Sequence, residues 1–121
     1  MNLNKKILIV DDEPDVLRIL EKRLVVNGFQ VVIADGGRKA LEMARQEEPD
    51  LIILDIDMPD MDGGEVAAKL KDDDATKHIP VIFLSCLVTQ REEEGSAMGD
   101  SIFMAKPYSP NKLIDEIERL I

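Results

Sequence analysis

Five short apolar runs constrain this chain more than any other feature. They are Ile7-Leu8-Ile9-Val10, Val31-Val32-Ile33-Ala34, Leu51-Ile52-Ile53-Leu54, Val81-Ile82-Phe83-Leu84 and the weaker Ile102-Phe103-Met104-Ala105. A strand with one face in water alternates apolar and polar residues, whereas a strand covered on both faces reads as an unbroken apolar run. These runs are unbroken. Amphipathic segments separate them. From Pro14 to Asn27 the side chains Val16, Leu17, Leu20 and Leu24 share one helical face. Pro14 suits a first turn, and Gly28 before Phe29 is a C-terminal stop.

The spacing predicts a second helix capped by Asp35, carrying Ala40, Leu41 and Ala44 and ending before Pro49. A third starts near Gly64 and runs through Val66, Ala67 and Leu70 toward Lys71. The last takes Ser109 as N-cap and Pro110 in its first turn, and buries Leu113, Ile114, Ile117 and Leu120. Between the fourth and fifth runs, Gln90 to Met98 contains Gly95 and Glu92-Glu93-Glu94 with little apolar stripe, so a short or mobile helix is expected there. The alternation is (βα)5, an α/β chain whose strand–helix–strand units build a doubly wound parallel sheet with helices on both faces. No linker, repeat or low-complexity tract interrupts it, and residues 1–121 read as one domain.

In open sheets of this kind, ligands bind beyond the carboxyl ends of the strands. After the first run stand Asp11, Asp12 and Glu13; after the third, Asp55 with Asp57 two residues on; after the fourth, Ser85; after the fifth, Lys106-Pro107. Each has an ordinary reading alone, as a turn, cap or solvated residue, and Asp57, Asp60 and Asp62 fit loop and cap positions around Pro59 and Gly63. Their conjunction does not. Asp11, Asp12 and Asp55 held a few ångströms apart repel by about 1–4 kcal/mol per pair at 4 Å. A divalent cation removes that repulsion, and hard oxygen ligands with room for waters and a phosphate favour Mg²⁺ over Ca²⁺. Phosphoryl transfer needs positioning and charge neutralisation on the transferred oxygens. Mg²⁺, the Lys106 ammonium and the Ser85 hydroxyl or a backbone N–H can supply these. Asp55, ending the central strand, is the candidate nucleophile, since carboxylates form acyl phosphates.

This pattern resembles the receiver domain of bacterial two-component response regulators over essentially the whole chain. The resemblance rests on Ile7–Pro14, Leu54–Gly63 with its Asp55-Ile56-Asp57-Met58-Pro59-Asp60-Met61-Asp62, Ile79–Ser85, and Lys106-Pro107-Tyr108-Ser109-Pro110. It implies the flavodoxin-like strand order 2-1-3-4-5. It implies Asp55 as the aspartyl-phosphate site, Mg²⁺ bound by Asp12, Asp55 and the Asp57 carbonyl with Asp11 acting through water, and Ser85 and Lys106 holding the phosphoryl group. Phe103 matches the family's switch aromatic, which turns inward when Ser85 moves toward the phosphate. The implied donor is a phosphohistidine on a sensor histidine kinase or phosphotransfer protein. Phosphorylation then favours one of two pre-existing states.

Several positions depart from the family pattern. Cys86 stands where Ala is usual and reads as a small buried thiol rather than a redox sensor. Asp57 adds a charge beside the acceptor and Leu87 an apolar side chain near its mouth, both expected to alter phosphate lifetime. The interval from Ser85 to Lys106 is slightly short, which bears on the fourth helix, a usual output surface. Output is expected through a downstream effector or a homodimer formed by the fourth helix, fifth strand and last helix. A stand-alone receiver and a piece of a longer regulator or hybrid kinase both fit the chain.

Composition narrows the rivals. A net charge of −10 repels phosphate backbones, so direct nucleic-acid binding is not expected. The single cysteine, Cys86, allows no internal disulfide or thiolate metal site. No apolar run approaches the ~20 residues of a membrane span, and the first run is too short for a signal peptide, so a cytoplasmic location is expected. A haloacid-dehalogenase-type phosphatase would use Asp55-Ile56-Asp57, but expects Thr or Val at Pro59 and leaves Asp11-Asp12 unexplained. An EF-hand loop fails because Pro59 is fifth from Asp55. A non-phosphorylated interaction module with the same fold has no use for the intact acids, Ser85 and Lys106.

Overall fold

Five parallel strands meet in one register, and a single rung shows it. Ile33 of β2 (Gln30–Ala34) lies beside Ile9 of β1 (Lys6–Val10), Ile9 beside Ile53 of β3 (Leu51–Asp55), and Ile53 beside Ile82 of β4 (Val81–Ser85). Ile82 then pairs with position 102 of β6 (Ser101–Ala105), to which the two-residue β5 (Ala97–Met98) adds antiparallel. The computed structural model describes residues 5–56, 58, 60–85, 97–98, 101–105 and 109–121, with the backbone alone at 85, 97–98 and 101–105. The sheet order is β2-β1-β3-β4-β6-β5. The four-strand order 2-1-3-4 of the flavodoxin-like fold is therefore present, with the run at 101–105 beside β4 as the fifth parallel strand.

Side chains alternate between two layers, as period 2 requires. Ile7, Ile9, Leu51, Ile53, Ile82 and Leu84 pack with α1 (Pro14–Val26) and α4 (Pro110–Leu120). Leu8, Val10, Ile52, Leu54, Val81 and Phe83 pack with α2 (Gly37–Glu47) and α3 (Gly63–Asp72). Helices on both faces are why the strands are unbroken apolar runs rather than alternating ones. Among the described residues, no helix is long and apolar enough to cross a membrane.

The helix ends follow local chemistry. Pro14 begins α1, and Gly28 at φ 91° reverses the chain after it. Glu48 at φ 48° ends α2 before Pro49. Asp62 caps α3 by accepting from the Glu65 N–H at 2.9 Å, and Ser109 caps α4 by accepting from the Lys112 N–H at 3.5 Å.

Two expectations change. Asp35 does not cap α2: the N-cap is Gly36, without a side-chain cap of its own, and the carboxylate at that end comes from Asp60. The helix expected up to Met98 is replaced at its end by β5, where Ala97 pairs with Ile102 and Met98 with Ser101. As sequence, Gly99-Asp100 is a turn-forming pair, a cue that a helical reading overlooks. Residues 90–96 of that expected helix lie outside the described residues.

Ile53 is fully buried at the centre of the sheet. Ile53→Ala is expected to cost about 2–5 kcal/mol of unfolding free energy, read as a lower midpoint in denaturant at unchanged m-value.

Candidate phosphoacceptor site

The register that aligns the isoleucines also aligns the acids at the strand ends. Val10 pairs with Leu54, so the next residues, Asp11 and Asp55, leave adjacent strands at the same level. Adjacent strands are about 4.7–4.9 Å apart, and no side-chain choice can separate two such residues widely. Asp11 is 1% and Asp55 3% exposed, so water cannot screen them freely. Asp12, one residue on, is exposed. Carboxylate oxygens of Asp11, Asp12 and Asp55 all lie within 4.8 Å of one another.

Backbone bonds fix this group from below. The Asp11 N–H donates to the Ala34 carbonyl at 3.2 Å, extending the β1–β2 ladder by a residue. The Asp11 side chain then accepts from the Glu13 N–H at 3.0 Å and turns the chain into α1. Beyond Asp55, the Ile56 N–H donates to the Leu84 carbonyl at 3.1 Å, and the Gly63 N–H returns to the Ile56 carbonyl at 3.0 Å. Gly63 is required by this approach. A Cβ there would sit 2.8 Å from the Ile56 Cα and 2.9 Å from the Asp55 carbonyl oxygen. The start of α3 is thus pressed against the backbone of Asp55.

The donor set is all oxygen, charged and concentrated on one side, which fits a hard divalent cation. The need arises from charge. Among the described residues, no buried side-chain nitrogen or oxygen lacks a hydrogen-bond partner, while three carboxylates at this spacing repel by about 1–4 kcal/mol per pair near 4 Å. The structure therefore brings together Asp11, Asp12 and Asp55 as expected. Ser85 ends β4, its backbone opposite Ala105, and Phe103 pairs through its backbone with Phe83. Asp57, Cys86, Leu87, Lys106 and the side chains of Ser85 and Phe103 lie outside the described residues.

Sequence reasoning misses what the acid-rich loop does at its far end. The Asp60 carboxylate accepts from the Gly37 N–H at 3.2 Å and the Arg38 N–H at 3.4 Å, capping α2 from another part of the chain. Gly36-Gly37 before the helix was the available signal, since neither can cap with a side chain.

The strand order and the acid cluster at the β1 and β3 ends define a flavodoxin-like α/β domain with a cation-suited carboxyl edge. Residues 7–118 match the family model described as the response regulator receiver domain, and the chain belongs to that family. Over 119 residues it is 39% identical to response regulator PleD of Caulobacter vibrioides, covering 98% of this chain and 26% of that protein. Its fold is similar to chemotaxis protein CheY4 of Vibrio cholerae, at TM-score 0.85 and 30% identity, with 97% and 98% of the two chains covered. It is also similar to the receiver domain of a sensor histidine kinase from Pseudomonas aeruginosa, whose structure has a magnesium ion coordinated in the active-site cleft. There the TM-score is 0.83 at 24% identity, over 96% of each chain, a likeness of fold. The chain spans about a quarter of PleD and about half of the Bacillus subtilis regulator PhoP.

Membership makes residues 7–118 a receiver domain, a signalling module of two-component systems. Receiver domains partner histidine kinases. The phosphatase reading, which left Asp11-Asp12 without a role, falls with that assignment.

The Gly37 N–H bond, helped by that from Arg38, holds the Asp60 carboxyl below its ordinary pKa of 3.8, against the opposing effect of desolvation. A lowered folded-state pKa means that the cap stabilises the fold above the ordinary value and loses this contribution as pH falls through the lowered one. Carboxyl-carbon NMR is expected to show Asp60 titrating below 3.8; a midpoint at or above it would contradict the cap.

Proposed function

We propose that Asp55 is the phosphoryl acceptor of a signalling switch in a two-component relay. The carrying observation is the meeting of the Asp11, Asp12 and Asp55 carboxylates within 4.8 Å at the carboxyl edge of the sheet. Asp55 sits at the end of the central strand, fixed by β1 on one side and β4 on the other. A carboxylate oxygen of Asp55 attacks phosphorus of a phosphohistidine. The P–O bond forms, the P–N bond breaks, and the imidazole leaves with the electron pair and takes up a proton. Burial keeps water away from the acceptor and fixes its orientation before the donor arrives.

Bound Mg²⁺, which the donor set fits, would offset the charge of the carboxylates and of the incoming phosphoryl group. Asp12 and Asp55 are the proposed side-chain ligands and the Asp57 carbonyl a third, with Asp11 acting through water. The ion in the receiver from P. aeruginosa supports this choice of metal. The family resemblance supports Ser85 and Lys106 as holders of the phosphoryl oxygens, and Ser85 with Phe103 as the switch pair.

The same reading extends to partners and place. A sensor histidine kinase or phosphotransfer protein is the phosphoryl donor, in the cytoplasm. Residues 1–121 act as one receiver domain. Its output passes to a downstream effector or through a homodimer using the segment before β6, β6 itself and α4. A charge of −10 argues against a direct nucleic-acid partner.

Intact-mass measurement with a small phosphodonor tests the acceptor. One phosphoryl adduct is expected on the wild-type chain, dependent on Mg²⁺ and absent from Asp55→Asn. A Mg²⁺-dependent adduct on Asp55→Asn at the wild-type level would overturn the assignment.

A further inference from the structure

The loop between β3 and α3 makes a contact that the acceptor chemistry above leaves unused. At its base, the loop is held by the Ile56 bond to Leu84 and the Gly63 bond to Ile56. At its tip, Asp60 takes the Gly37 and Arg38 N–H groups at the start of α2. Packing supports the same approach. A Cβ on Gly36 would meet Asp60 Oδ2 at 3.0 Å, and one on Gly37 would meet the Met61 Cβ at 2.7 Å and the Val66 Cγ2 at 2.9 Å. The glycine pair is what allows the loop to lie against the helix end.

We propose that Asp60 is a positioning residue for phosphoryl transfer, fastening the loop that leaves Asp55 to the N-terminus of α2; this rests on Asp55 being the acceptor. Two physical effects act together. A loop tied only at its base samples more backbone conformations, and transfer rates fall steeply when reacting groups lose alignment. The partial positive charge at the helix end also engages the Asp60 carboxylate. Its negative charge is thereby occupied away from an anionic donor approaching Asp55. Asp60 is exposed, so its truncation opens no cavity in the core.

Four variants separate positioning from mere stability: Asp60→Ala, Asp60→Asn, Gly36→Ala and the double Gly36→Ala/Asp60→Ala. Each is measured for its limiting phosphorylation rate with a small phosphodonor at saturating Mg²⁺, and for amide exchange at Gly37 and Arg38. Asp60→Ala is expected to speed exchange at both amides and slow phosphorylation roughly five- to tenfold. Asp60→Asn, whose one amide oxygen keeps the shorter bond from the Gly37 N–H but not the Arg38 bond made to the other carboxylate oxygen, restores part of the rate. Gly36→Ala, whose Cβ would stand 3.0 Å from Asp60 Oδ2, shifts the carboxylate slightly and slows the reaction less than Asp60→Ala, while the double variant is no slower than Asp60→Ala, because both act on one contact. Faster exchange in Asp60→Ala at an unchanged phosphorylation rate would overturn the proposal, as would Asp60→Asn being as slow as Asp60→Ala. Failure of the wild type and every variant alike to take up phosphate would instead overturn the acceptor reading, and this inference with it.

Discussion

The parallel register of β1 against β3 is the constraint on which the rest of the structure depends. Val10 beside Leu54 forces Asp11 beside Asp55, and backbone spacing leaves the two carboxylates no means of moving far apart. Both are buried, and Asp12 adds a third charge from the rim. Packing of apolar side chains in two layers supplies the free energy that holds this repulsive group together. The aliphatic core beneath the site is therefore part of its chemistry: it sets the distance between charges that a cation and a phosphoryl group then exploit.

The surroundings of the acids have the same character of short fixed connections. Asp11 both ends its strand and turns the chain into α1, through one bond to the Glu13 N–H. Gly63 presses α3 against the Asp55 backbone, and Asp60 carries the other end of the loop to α2. The start of α1 is thus bonded to Asp11, that of α3 to Ile56 beside Asp55, and that of α2 to Asp60 further along the same loop. Helix starts offer N–H donors and partial positive charge, which suits an edge crowded with carboxylates.

Much of this was legible in the sequence, and the reasons are local. Unbroken apolar runs report strands covered on two faces, and the residue after each run reports the carboxyl edge, so Asp11, Asp12 and Asp55 could be placed from spacing alone. Helix starts at Pro14 and Ser109-Pro110 followed from cap and first-turn chemistry. The misses have a different origin. Asp35 was expected to cap α2 because it is near in sequence, yet Asp60, 22 to 23 residues from the amides it accepts from, holds that position. A cap donated across the fold leaves no periodicity to read. The pairing of Ala97-Met98 with the last parallel strand was missed because two residues are too few to show a pattern, and Gly99-Asp100 was the only cue. The roles of Ser85, Lys106, Phe103 and Asp57 rest on the family resemblance.

The central claim is that the fold holds three carboxylates closer than their charges favour and that a divalent cation relieves this. The direct measurement is the thermal unfolding midpoint of wild type and Asp12→Ala, with and without Mg²⁺. Mg²⁺ is expected to raise the wild-type midpoint by a few degrees. Without Mg²⁺, Asp12→Ala is expected to melt above wild type and to respond little to the ion. A wild-type midpoint indifferent to Mg²⁺, together with an Asp12→Ala variant no more stable than wild type in its absence, would contradict the claim.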